Sequence, residues 1–152
     1  MEHEEFQQAM DEIIPKLNDQ IHQWKVVVHN PHYKYMSCRI YKEQSKSDEQ
    51  QEQEEEIIIV YDILLHPVYK TPAIFIRAQQ ISGQPLSNTW TLDYLEHIST
   101  QPELSPDTHP LLGIPCVSIG ACSTWEILSI WSSNTDRLLA LINVWGSDIG
   151  LV

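Results

Sequence analysis

The residues best suited to do chemistry surround Cys122, at the end of a stretch that begins at His109. Within it, Pro115 to Ile119 predicts a short buried strand. Ser123 and Glu126 have the spacing of a capping box, which predicts that a helix begins one residue after the thiol. The positive end of a helix dipole and its unpaired N–H groups favour a thiolate over a thiol. The pattern therefore predicts a reactive cysteine, Cys122, at a strand-to-helix corner.

The cysteines also allow a simpler interpretation. An isolated cysteine after an apolar run is often a small buried hydrophobe, and on local sequence alone that alternative stays open for Cys122. Cys38 lies in an alternating strand pattern and is expected in the core. Because the three cysteines are odd in number and scattered, they argue against a disulfide framework and favour a reducing compartment.

Two segments of the chain resemble the autophagy-related protein ten family, a divergent group of ubiquitin-conjugating enzymes. The first is His109-Pro-Leu-Leu-Gly-Ile-Pro, which six residues separate from Cys122. The second runs from Tyr61-Asp-Ile-Leu-Leu-His-Pro to Ala78, and Gly83-Gln-Pro-Leu follows it. The order and separation of the segments match as well, and the C-terminal helix that ends in Trp-Gly fits more loosely.

This resemblance implies a complete activity. Cys122 would carry a ubiquitin-like modifier, autophagy-related protein twelve, as a thioester received from the activating enzyme, autophagy-related protein seven. It would then transfer the modifier to a lysine of autophagy-related protein five, without a separate ligase and without a cofactor. By the same comparison Cys116 takes the place of a large apolar strand residue, so it is expected in the core. The resemblance further implies a cytoplasmic protein that is recruited to the site of autophagosome formation.

The chain departs from the family at the residues just before the nucleophile. Family members carry His-Pro there, whereas this chain has Gly120-Ala121. Ordinary ubiquitin-conjugating enzymes also place an asparagine before the cysteine as an oxyanion donor, and none lies between His109 and Cys122. Backbone N–H groups at the Cys122 corner, or a side chain from another strand, are the expected replacements. The alternative function is a catalytically inactive scaffold that binds conjugation partners.

Two other residues are candidates for supporting Cys122. Tyr61 matches a family tyrosine at the start of a central strand, and its hydroxyl group would orient the cysteine loop. The alternative for Tyr61 is a half-buried tyrosine of the sheet. His109 would act as a base, or its His-Pro pair would simply form the turn that positions the loop, and the sequence leaves both interpretations open.

Composition limits the partners. A chain of 152 residues with 42% hydrophobic residues is expected to form a single domain, 1–152. The net charge of -12 opposes binding to nucleic acid and to anionic membrane surfaces. No apolar run approaches the roughly 20 residues needed to cross a bilayer, so no integral membrane segment is expected. His22, His29 and His32 match no zinc-binding pattern, and no metal site is expected.

The remaining patterns predict the elements that position these residues. An apolar stripe from Phe6 to Trp24 predicts a helix that Pro15 kinks or divides. Polar residues 43–56 predict a mobile acidic loop, and the Pro-rich stretch 101–110 predicts another loop. The strands expected are Trp24–His29, His32–Lys42, Ile57–Leu65 and Ala73–Gln79. A short helix or an irregular segment is expected over Asn88–Ser99, and the last element expected is a C-terminal helix capped by Ser133 or Asn134.

Together these predictions give an α+β fold with a ubiquitin-conjugating-like core. An N-terminal helix precedes a four-stranded antiparallel meander. A crossing segment with a short strand then carries the active site, and a C-terminal helix closes the domain.

Overall fold

The computed structural model of the protein describes residues 1–18, 23–48, 51–98, 103–119, 128–146 and 149. The predicted α+β class is confirmed, with a helix at each end of the described chain and an antiparallel sheet between them. The elements are α1 (His3–Leu17), β1 (Trp24–Asn30), β2 (Tyr33–Asp48), β3 (Gln51–Leu65), β4 (Pro72–Gln80), α2 (Asn88–Ile98), β5 (Leu104–Thr108), β6 (Pro115–Ile119) and α3 (Asn134–Gly146).

The described strands form one sheet in the order β1-β2-β3-β4-β6-β5. The four-stranded meander is confirmed, and β6 extends it by pairing with β4. The prediction of a loop over 101–110 was wrong, because β5 occupies half of that stretch and pairs with β6. Pro106 misled the sequence interpretation. It is tolerated because β5 is an edge strand, where a missing N–H need not interrupt a ladder on both sides.

The predicted acidic loop over 43–56 is also not what the structure shows. Strands β2 and β3 continue through it as an antiparallel hairpin, with pairs that reach Asp48 and Gln51. The polar composition predicted a loop because this stretch has little apolar surface to bury. A ladder of backbone hydrogen bonds does not depend on side-chain polarity, so a hairpin that starts in the core extends beyond it.

Helix α1 buries Phe6, Met10 and Ile13 as its apolar stripe predicted. The helix is continuous through Pro15, which lies in its last turn and is exposed, so the predicted division does not occur. The stripe itself ends at Leu17, and Trp24 belongs to β1. The Asn18 side chain joins the two elements, because its Oδ1 accepts from the Trp24 N–H at 2.8 Å and its amide donates to the Trp24 carbonyl at 3.2 Å.

The main core lies between one face of the sheet and the helices. Phe6 of α1, Leu95 of α2 and Leu138 of α3 are all fully buried against it. Ser133 caps α3, since its Oγ accepts from the Asp136 N–H at 3.1 Å. On the other face a smaller cluster contains no residue of a described helix; its buried members are Tyr35, Leu64, Ala73, Phe75 and Cys116. We call this side the helix-free face.

Candidate active site

Cys122 lies outside the described residues, as do the capping box after it and the Gly120-Ala121 pair before it. Its exposure and its helix start therefore remain predictions. The structure does describe both flanks of this segment. Strand β6 ends at Ile119, three residues before Cys122 in the sequence, and Leu128 is buried on the other side. The β5–β6 hairpin is therefore the part of the fold that leads to the nucleophile.

A tight turn of six residues, 109–114, closes the β5–β6 hairpin between the paired residues Thr108 and Pro115. The His109 N–H donates to the Ile114 carbonyl at 2.9 Å, and the Gly113 N–H donates to the His109 carbonyl at 2.9 Å. Gly113 has φ +66°, which glycine adopts without the steric cost that a side chain would add. The His-Pro pair and the glycine thus determine the turn that precedes β6.

The same turn recurs between β3 and β4, where residues 66–71 separate the paired Leu65 and Pro72. The His66 N–H donates to the Thr71 carbonyl at 2.9 Å, and the Lys70 N–H donates to the His66 carbonyl at 3.0 Å. Both turns read His-Pro, four further residues and then proline in the sequence. In both, the fifth residue has positive φ, although here it is Lys70 with φ 53°.

The imidazole of each turn histidine accepts backbone hydrogen bonds at Nδ1. At His109 the donors are the N–H groups of Leu111 and Leu112, each at 3.2 Å. At His66 they are those of Val68, at 3.1 Å, and Tyr69, at 3.3 Å. A nitrogen that accepts carries no proton, so the proton of a neutral ring is on Nε2. The turn thereby selects the tautomer of both histidines.

Nε2 of His109 lies 3.0 Å from the Oδ2 atom of Asp62, near the C-terminal end of β3. Because Nδ1 is an acceptor, Nε2–H is the donor and the carboxylate accepts. Both side chains are completely buried. Tyr35 and Phe75 pack around the ring, with centroids 5.9 and 5.7 Å from that of His109. This contact ties the hairpin before Cys122 to the centre of the sheet.

Asp62 has a second partner on the neighbouring strand. The Nε atom of Arg77 in β4 lies 3.2 Å from Oδ2 of Asp62, and the Arg77 side chain is only 14% exposed. Burial alone would raise the pKa of the Asp62 carboxyl group. The hydrogen bond from His109 and the positive charge of Arg77 outweigh burial and hold that pKa below its usual value. Asp62 is therefore a buried carboxylate, stabilised by His109 from the hairpin and by Arg77 and Ser37 from the sheet.

These contacts bear on the two interpretations of His109. Both of its ring nitrogens are engaged, one by the turn and one by Asp62. In this arrangement it has no free lone pair to accept a proton from a substrate amine. The geometry favours a positioning residue that shapes the turn. Its effect on catalysis remains a prediction.

Tyr61 adjoins Asp62 on β3 but points to the main core, where it is 1% exposed. Its hydroxyl group donates to the carbonyl of Ile149, near the C-terminus, at 2.6 Å. Burial, followed by the nearby Tyr94 and Cys38 side chains, raises the pKa of the Tyr61 phenol. The described contact of Tyr61 thus holds the segment after α3. Contact with the cysteine loop lies outside the described residues.

Cys38 and Cys116 are both fully buried, as predicted. Burial raises the pKa of the Cys38 thiol to about 11. Burial, and then the negative charges of Asp107 and Asp62, raise the pKa of Cys116 to about 12. Both groups are thiols rather than thiolates at neutral pH, so neither is a suitable nucleophile. This leaves Cys122 as the candidate among the three cysteines.

No role was predicted for Asp62 or Arg77 from the sequence. One signal was available, because each interrupts an apolar strand: Asp62 stands within Ile57–Leu65, and Arg77 follows Ala73–Ile76. A charge inside a buried strand requires a partner, and the adjacent antiparallel strands offered opposite charges. Their link to His109, 47 residues from Asp62 in the chain, could not be inferred from spacing.

Among the residues that the structure describes, no group of three or more His, Cys, Asp or Glu side chains is arranged to hold a metal ion. Within the same residues, no helix has the length and apolar character needed to span a membrane.

A comparison with protein-family models gives a match to the family described as "Autophagocytosis associated protein, active-site domain", over residues 5–150. The chain belongs to this family. The match spans nearly the whole sequence, including His109, Asp62 and Cys122. A search among curated proteins found no matching sequence.

Membership in the autophagocytosis-associated family gives the chain a ubiquitin-like conjugating role in autophagy. Its partners are accordingly a ubiquitin-like modifier and the activating enzyme that supplies it. The fold agrees with that role, since the N-terminal helix, antiparallel sheet and C-terminal helix are those of a ubiquitin-conjugating-like domain.

Proposed function

We propose that this protein carries the modifier known as autophagy-related protein twelve as a thioester on Cys122, and transfers it to a lysine of autophagy-related protein five without a separate ligase. The observation that carries the proposal is the active-site-domain match over 5–150, which contains this cysteine. The two segments that resemble the autophagy-related protein ten family, around Tyr61 and His109, support the narrower assignment.

The chemistry is two successive acyl transfers. The Cys122 thiolate attacks the thioester carbonyl between the modifier and the activating enzyme, and the thiolate of the activating enzyme leaves. A neutral lysine amine of the acceptor then attacks the new thioester. An isopeptide bond forms, the Cys122 thiolate leaves, and the amine loses one proton to solvent or to a base. No cofactor takes part in either transfer.

Several described features support this activity. The other two cysteines are buried thiols with raised pKa values, so they do not compete for the modifier. The β5–β6 hairpin that leads to Cys122 is tied to β3 through His109 and Asp62. Because this contact holds the hairpin in place, it reduces the entropy lost when the Cys122 thiolate and an incoming carbonyl align.

The experiment is a thioester assay with the protein, the activating enzyme seven, modifier twelve and ATP. A reductant-sensitive adduct is expected in the unaltered protein and in Cys116→Ala. Cys122→Ala should form none, and Cys122→Ser should form an ester that resists reductant. An adduct that persists in Cys122→Ala would refute the assignment of the nucleophile.

Transfer is measured by adding protein five to the preformed thioester. The expected product is a covalent conjugate that reductant does not cleave, formed at the rate at which the thioester disappears. Thioester formation without conjugation of protein five would keep the conjugating class but refute the proposed acceptor.

A second candidate is an inactive scaffold, and one observation favours it. Gly120-Ala121 replaces the His-Pro pair that precedes the cysteine in the autophagy-related protein ten family. A scaffold would bind the activating enzyme and modifier but form no adduct under any condition of the thioester assay.

For cellular location we propose the cytoplasm, with recruitment to sites of autophagosome formation. A fluorescently tagged protein that gathers at such sites on starvation would support this, and a uniformly nuclear or secreted protein would contradict it.

A further inference from the structure

A groove of about 630 Å³ lies on the helix-free face of the sheet. Strands β1 and β2 form most of it, and Arg77 of β4 closes one side. Its floor contains Tyr35, which is 3% exposed, and one wall contains Tyr41, which is 63% exposed. The described helices all pack on the opposite face, so none of them covers it.

Among the described residues that line this groove, all charged side chains are positive: Lys25, Arg39 and Arg77. This is unusual for a chain with only 9 Lys and Arg residues against 21 Asp and Glu residues. Arg77 already pairs with Asp62. Lys25 and Arg39 are exposed, and neither pairs with a carboxylate among the described residues. Among the residues that the structure describes, these two positive charges therefore have no counterion.

The sheet register determines how these charges are spaced. Lys25 of β1 pairs with Ser37 of β2, and Arg39 is two residues further along β2. Lys25 and Arg39 are thus separated by two residues along the strand and by one strand across the sheet, which places their backbones about 8 Å apart. In an extended peptide, side chains on the same side recur at alternate residues, about 7 Å apart. Carboxylates at alternate positions of an extended segment therefore match this pair.

We propose that this groove binds an extended acidic segment of a partner protein, with carboxylates at alternate positions facing Lys25 and Arg39. Charge complementarity carries the proposal, because a strongly acidic protein would otherwise repel an acidic segment.

The surroundings of the groove favour a short peptide over a nucleic acid. Glu43 and Glu56 are exposed and face each other in the β2–β3 register, beyond Tyr41 along β2. A nucleic acid strand carries a continuous row of phosphates, which would meet these carboxylates and the net charge of -12. A short segment would end before it reached them.

The binding test does not depend on the proposed thioester activity, because it uses the isolated protein without activating enzyme or modifier. The probe is a fluorescent peptide of alternating glutamate and valine. Its matched control has glutamine in place of every glutamate. Binding is followed by fluorescence anisotropy at low salt and again at about 0.3 M salt, where exposed charges are strongly screened.

The glutamate peptide should bind at low salt and weaken in high salt, and the glutamine peptide should not bind. The double variant Lys25→Glu and Arg39→Glu should weaken binding by about tenfold or more, since two attractive exposed contacts become repulsive. Arg39→Lys, which keeps the charge, should stay close to the unaltered protein. Circular dichroism of each variant checks that the surface changes leave the fold intact.

Lys16→Glu is the matched control for a general charge effect, because Lys16 is exposed on α1 and α1 packs on the other face. It should leave binding almost unchanged. The proposal is overturned if this variant weakens binding as much as the double variant Lys25→Glu and Arg39→Glu, if the glutamine peptide binds equally well, or if no binding occurs. It is also overturned if a single-stranded oligonucleotide binds more tightly than the glutamate peptide and depends on the same residues.

Discussion

Replacing His109 separates its contribution to the turn from its contact with Asp62. His109→Ala removes a ring that is 1% exposed, together with the acceptor of two N–H groups and the donor to a buried carboxylate. A hydrogen bond to a charged group contributes about 1.5–3 kcal/mol, and the upper value applies here because both side chains are completely buried. The two turn bonds, which are only partly buried, add about 1 kcal/mol. We therefore expect a loss of about 4 kcal/mol in the free energy of unfolding.

His109→Asn is the informative partner variant. An asparagine oxygen accepts from N–H groups two and three residues ahead, as His109 Nδ1 does for Leu111 and Leu112. Its shorter side chain does not replace Nε2 at Asp62. This variant should therefore keep the turn and lose about 3 kcal/mol, mainly the bond to the carboxylate.

Both variants are measured by equilibrium urea unfolding at pH 7. A loss below about 1 kcal/mol in His109→Ala would refute the account of the buried bond, because that bond alone should exceed it. Equal losses in the two variants would show that the turn bonds contribute nothing. The thioester assay then tests the alternative role. A general base contributes at least about a hundredfold to a rate, so a loss of that size in folded His109→Asn would restore the base interpretation.

Four further predictions concern other parts of the fold. Burial lowers the pKa of His66, and the negative charge of Asp107 opposes this to a smaller extent. The folded state therefore binds fewer protons than the unfolded chain, so the free energy of unfolding falls as the pH drops below about 6.5. His66→Asn should reduce this slope in urea titrations between pH 5 and 7. Gly113→Ala should cost about 1 kcal/mol by thermal or urea unfolding, because φ is +66° and no atom lies within 4 Å of the added Cβ. Tyr61→Phe should cost about 1 kcal/mol by removing the bond to Ile149, and no measurable loss would show that water replaces it. Iodoacetamide at pH 8 should modify one thiol of the native protein, and mass spectrometry should find it at Cys122; rapid labelling of Cys38 or Cys116 would contradict their burial.

The sequence predicted the elements whose signals are local. The apolar runs Ile57–Leu65 and Ala73–Gln79 gave β3 and β4, and the pattern Pro115–Ile119 gave β6. Each lies in the sheet because a continuous apolar run of that length requires burial on both sides. The burial of Cys38 was predicted from its alternating strand pattern, and that of Cys116 from the resemblance to the family.

The failures have a different physical origin. Strand β5 and the outer part of the β2–β3 hairpin are polar, so they exist because neighbouring strands offer hydrogen bonds. That pairing is a property of the folded sheet and is not visible in their own composition. The Asp62–His109 bond is also nonlocal, since it requires β3, β4 and β6 to be assembled before the turn histidine can reach the carboxylate.

The same six-residue turn occurs at 66–71 and at 109–114. Its recurrence shows that closing a hairpin and anchoring that hairpin to the interior of the sheet depend on different contacts. At His66 the half-buried imidazole completes the turn, and no carboxylate of the described residues accepts a hydrogen bond from its far nitrogen. At His109 the same ring reaches inward and joins its hairpin to the sheet. A single ionisable contact thus separates a merely local bend from one whose position is coupled to the interior.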